Sequence, residues 1–174
     1  MKKGMLVSMA LAGSILFSEG CANRKISENS RERIISTKVE ERSVVIPGCF
    51  MYGLETNRFY GGDSIDNRSD LYWEQISDKQ RRLVPRGGTG LVNLGKIDES
   101  LIDLDFLRRI NYSSKPINAN DEGNEMPVNT VIGFRTGWGV FGTIKVEGYR
   151  PLMSGGRKIE NYDLITKIKV ITEK

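Results

Sequence analysis

The chain of 174 residues contains no histidine. That absence excludes Ser–His–Asp chemistry, imidazole proton shuttles and His-ligated metal sites. Acid–base work would fall to Asp, Glu, Lys, Tyr or Cys. Prolines number five against nineteen glycines, and cysteines only two, a balance that predicts many tight turns and no low-complexity linker. The sequence has little charge of one sign: the net +4 comes from basic residues scattered among acidic ones, with no stripe to follow a phosphate backbone, which argues against a nucleic-acid partner. No internal repeat is evident. The length suits one domain with a short tail.

The amino terminus reads MKKGMLVSMALAGSILFSEGC. Lys2 and Lys3 precede an uncharged run, Gly4 to Phe17, that is shorter than the roughly 20 residues a membrane-spanning helix needs. A basic start followed by a short apolar run is the pattern of a secretory signal peptide. Cys21 directly follows the small residue Gly20, and this junction resembles the lipobox of bacterial lipoproteins. The resemblance implies a diacylglycerol-modified thiol on Cys21, cleavage just before it, and a palmitate-bearing protein held at the cell envelope. It covers the first 21 residues only, and Ser18 stands where that pattern usually has Leu. Ordinary cleavage after Ala22, with a soluble periplasmic or secreted product, is the alternative. If Cys21 keeps its thiol, a bridge to Cys49 is open in an oxidising compartment. If not, Cys49 is expected to be a buried small hydrophobe. Residues 1–20 are thus read as the signal and 21–42 as the lipidated Cys with a polar, charged tether. Residues 43–174 are read as the folded domain.

In that domain the apolar runs are short. SVVIPGCF, DLYWEQI, GLVNL, NTVIGFRT, VFGTIKVEGY and YDLITKIKVIT are rich in Val, Ile, Thr and aromatics and are separated by turn residues. NTVIGFRT and VFGTIKVEGY flank Gly137–Trp138–Gly139, which predicts a β-hairpin. IDESLIDLDFLRRI predicts one short helix, with Leu101, Leu104 and Leu107 on one face and Asp98 as N-cap. QRRLVPRGGT, with a proline and two adjacent glycines, is expected to make a poor strand. The fold class that follows is mainly β, an antiparallel sandwich or partly open barrel with one short helix. The body is similar to small β modules of secreted bacterial proteins.

Two glycine patterns imitate nucleotide sites. GLVNLGKI offers Gly, four residues, Gly and Lys, but Ile97 stands where a magnesium-binding Ser or Thr is required. GWGVFG matches G-x-G-x-x-G, yet TIKVEGY after it alternates like a strand, and no βαβ unit surrounds it. Gly137 and Gly139 are expected to supply positive φ in a turn. No nucleotide and no cofactor are implied.

Asp63, Asp66, Asp70 and Glu74 fall within twelve residues. Such a cluster could hydrolyse a glycosidic bond with one carboxylate pair, or Asp63, Asp66 and Asp70 could bind calcium. Their spacing fits no calcium loop, and solvated turn acids are the plainer reading. The aromatics point elsewhere. Tyr72 and Trp73 must face opposite sides of a strand, and Trp138 stands at a hairpin tip with no core to enter. Exposed rings on loop tips suit binding, because they offer contact area at low entropic cost. The sequence therefore predicts an exported, membrane-anchored, non-catalytic binding or structural module. Trp138, Tyr72 and Trp73 are its candidate contacts for a carbohydrate, peptide or envelope protein. A carboxylate hydrolase is the rival.

Overall fold

The computed structural model describes residues 36–61, 68–154 and 157–173. Residues 1–20, expected to be a signal, Cys21, Asp63 and Asp66 lie outside the described residues. Ten strands form two five-stranded antiparallel sheets. The first sheet orders β1 (Thr37–Ile46), β10 (Arg157–Glu173), β9 (Phe141–Ser154), β8 (Val131–Arg135) and β6 (Gly90–Gly95). The second orders β3 (Arg58–Gly61), β2 (Phe50–Gly53), β4 (Leu71–Gln75), β5 (Arg81–Pro85) and β7 (Ile117–Asn118). The sheets do not close on each other, so the fold is sandwich-like and not a barrel. Among the described residues no helix is long and apolar enough to cross a membrane.

Strand alternation builds the core. Along β10, Leu164, Thr166, Ile168 and Val170 point inward and are buried, the period-two pattern of a strand with one face covered. Leu164, Ile168 and Val170 meet Tyr52, Leu71, Trp73 and Leu83 of the second sheet in one cluster with Phe134, Ile144 and Val146. On the other face of the first sheet, Val131 and Ile171 pack with Ile102, Leu104 and Leu107. A helix, α1 (Leu104–Arg109), therefore covers that face.

The predicted helix divides in two. A 3-10 turn, Glu99–Leu101, is capped by Asp98, and α1 is capped by Asp103, whose side chain accepts from the Phe106 N–H. Leu101 consequently leaves the apolar stripe and is 68% exposed. The first strand begins ahead of residue 43. β1 opens at Thr37, and its charged first half pairs with the end of β10, from Thr37↔Glu173 onward. QRRLVP, expected to make a poor strand, forms β5 between β4 and β7. Pro85 sits at its last position, where a missing N–H is tolerated. Arg81 is 7% exposed yet satisfied: its guanidinium donates to Asp78 and Ala119 carbonyls, pairs with Asp121, and lies 4.4 Å from the Tyr162 ring centroid.

Candidate functional site at the loop end of the sandwich

Three turns meet at one end of the two sheets, because antiparallel register brings them there. Residues 54–57 join β2 to β3, residues 86–89 join β5 to β6, and residues 136–140 join β8 to β9. In the last of these, the Thr136 N–H donates to the Val140 carbonyl at 2.8 Å and the Gly139 N–H to the Thr136 carbonyl at 3.0 Å. The Thr136 hydroxyl accepts from the Val140 N–H and donates to Glu55 Oε1 at 2.5 Å. Gly139 takes the expected positive φ, 83°. Gly137 does not; it is needed for space, since a Cβ there would lie 2.2 Å from the Gly87 carbonyl oxygen. Trp138 stands between these two glycines and is 79% exposed. The indole projects from a turn held on both sides.

The residue 86–89 turn links Trp138 to Tyr72. Its Thr89 N–H donates to the Arg86 carbonyl, and Gly87 and Gly88 both take positive φ, the type I′ arrangement that glycine pairs favour. Gly88 packs on Gly137. Arg86 lays its guanidinium 5.3 Å from the Tyr72 ring centroid. Tyr72 faces outward and is half-buried; burial pushes its phenol above the usual tyrosine range, and the neighbouring Cys49 thiol adds to that. Cys49 itself is half-buried with φ 63°, a turn residue and not the buried hydrophobe expected.

Trp73 is not a surface ring. It is fully buried, donates Nε1–H to the Tyr162 carbonyl at 2.7 Å, and stacks on Tyr149 with centroids 6.0 Å apart. Strand parity requires one of Tyr72 and Trp73 to turn inward; the larger ring fills the core.

Of the four carboxylates, Asp70 and Glu74 are described, and each has its own internal partners. Asp70 is 5% exposed. Its oxygens accept from the Leu54 N–H at 2.7 Å and the Thr89 hydroxyl at 3.1 Å, so it ties two of the three turns together. Glu74 pairs with Arg82 across β4 and β5. Among the described residues no group of three His, Cys, Asp or Glu could hold a metal ion. Burial pushes the Asp70 carboxyl up, against the hydrogen bonds that lower it. With the native value raised, the folded state holds this proton more tightly than the unfolded chain. Stability from this group is therefore fully present below the ordinary aspartate range and declines as pH rises through the native value. Denaturant titrations should show wild type losing stability relative to Asp70→Asn across that window, with the difference flat at higher pH. A difference that grows in wild type's favour with rising pH would contradict the buried carboxylate.

Two features were not foreseen from the sequence. Arg135, at the end of β8, is exposed and lies 5.9 Å from the Tyr112 ring centroid; burial pushes the Tyr112 phenol up to about 12. A concavity of about 160 Å³ also opens at this end, lined by Lys38, Arg42, Leu54, Glu55 and Val140 among others. It shares Val140 and Glu55 with the Trp138 turn. A second cavity of about 440 Å³, lined by Lys79, Gln80, Asn120, Asp121 and Glu122, lies at the other end of the strands and takes in none of the candidate residues. Comparison with protein-family models, with curated proteins and with solved structures gives no match.

Proposed function

We propose that the protein is an exported, lipid-anchored module that works by binding and not by catalysis, through the end that carries Trp138. The observation that supports this most is the 79% exposure of an indole on a turn pinned to its neighbours. Leaving so large an apolar ring in water forgoes about 1.5–3 kcal/mol of burial, and the ring is pre-organised, so a partner that covers it recovers that energy at little ordering cost. Tyr72 under Arg86 extends the same surface. Carbohydrates, peptides and protein surfaces all use such rings. The indole stands on a projecting turn beside a small concavity, which suits an extended surface better than an isolated small molecule. The hydrolase rival is weaker because Asp70 and Glu74 are each engaged with internal partners.

Export and anchoring rest on the leader sequence and on Cys21. Cys21→Ala should move the protein from the membrane fraction to the soluble one; unchanged fractionation would remove the anchor. Binding is tested by probing glycan arrays, peptide arrays and isolated envelope material with wild type, Trp138→Ala and Leu101→Ala. Leu101 is an exposed apolar control on another face. Trp138→Ala should bind at least tenfold more weakly and Leu101→Ala as wild type, since ring truncations at interface centres commonly cost 2 kcal/mol or more. Equal binding by all three would contradict the reading.

A further inference from the structure

We infer that the extended surface met by the Trp138 end is the headgroup layer of an anionic membrane. The inference rests on the binding reading above and names its partner. Three observations carry it: the place where the chain enters the domain, the chemistry at that place, and the rigidity of the turn.

β1 opens at Thr37, paired with Glu173 at the end of β10. Two residues on, Val39, Ile171, Phe141 and Arg135 form one row across four strands. The first strand therefore starts at the same end as the Trp138 turn, and the cavity at Lys79–Glu122 lies at the far end. Residues 22–36 separate Cys21 from Thr37, a reach of at most about 58 Å when fully extended. A chain anchored at Cys21 therefore enters the domain at its Trp138 end.

The chemistry at that end fits a lipid interface. Indole rings partition to the headgroup level of membranes, and guanidinium groups pair with phosphate in a bidentate way. Arg86 and Arg135 are both exposed and form no salt bridge among the described residues, and each lies against a tyrosine ring that limits its motion. The acids at this end are mostly engaged: Glu40 pairs with Lys38 and Glu173 with Arg108. Glu55 is hydrogen-bonded by Thr136. One indole with an arginine on each outer side of the sandwich offers only a weak contact, yet tethering turns it into an intramolecular event, for which a weak contact suffices.

The two tryptophans make the test direct, because Trp73 is fully buried and Trp138 is not. The full chain is mixed with vesicles of phosphatidylglycerol and phosphatidylcholine in equal parts, and with vesicles of phosphatidylcholine alone. Emission should shift to shorter wavelength with the anionic vesicles, become shielded from iodide, and be quenched by brominated lipid. Trp138→Phe should abolish all three changes while remaining folded. Arg86→Gln with Arg135→Gln should weaken the anionic-vesicle response on the order of tenfold, and added salt should do the same. If the protein sediments with vesicles while Trp138 stays open to iodide and untouched by brominated lipid, the inference is overturned. A response to a glycan or peptide without one to vesicles overturns it too, but leaves the binding reading standing. Silence toward vesicles, glycans and peptides alike removes both.

Discussion

Trp73→Ala is expected to destabilise the fold by about 3–5 kcal/mol, the range for truncating a large buried ring. The side chain has no exposed surface, stacks on Tyr149, and donates to the Tyr162 carbonyl. Truncation leaves a cavity between the sheets and removes that hydrogen bond. Total stability for a domain of this size is about 5–15 kcal/mol, so the variant should unfold at much lower urea concentration or fail to accumulate. Trp138→Ala, by contrast, should stay within about 0.5 kcal/mol of wild type, as exposed substitutions do. Equal midpoints for the two variants would contradict the inward placement of Trp73 and the outward placement of Trp138.

Gly137→Ala carries the second large effect, and it joins stability to function. The new methyl would stand 2.2 Å from the Gly87 carbonyl oxygen and 3.5 Å from the Gly88 Cα. These are backbone atoms, which cannot swing aside, so the turn carrying Trp138 must separate from the turn carrying Arg86. Overpacking of this kind costs about 1–3 kcal/mol. Binding should fall with it, although neither Trp138 nor Arg86 has changed. Gly61→Ala is the matched control: nothing lies within 4 Å of a Cβ there, and it should be silent. If Gly137→Ala keeps full stability and binding, the two turns do not act as a unit.

Much of the architecture was legible because strand alternation is local. YDLITKIKVIT shows its inward set in the sequence, and the Gly137–Trp138–Gly139 hairpin forms where its flanking runs place it. What escaped was set by tertiary contact. β5 forms because Leu83 is buried between neighbours and because Asp121 and Tyr162, distant in sequence, satisfy Arg81. The charged half of β1 reads as tether until the end of β10 pairs with it. Parity required that one of Tyr72 and Trp73 be buried; only the opposite sheet decided which. Asp70 looked like one member of an acidic cluster and proves to be a clasp between turns. The proximity of Gly87 to Gly137 had no local signal, since it depends on a turn that crosses between the sheets meeting a hairpin turn of the first sheet.

Contact with a partner at the Trp138 end can be read by hydroxyl-radical footprinting of the full chain, with and without isolated envelope material. Oxidation of Trp138 should drop several-fold when the envelope material is present, with Tyr72 following and Trp73 low throughout. Undiminished Trp138 oxidation, with protection appearing instead around Lys79 and Glu122, would place the contact at the opposite end and contradict the account.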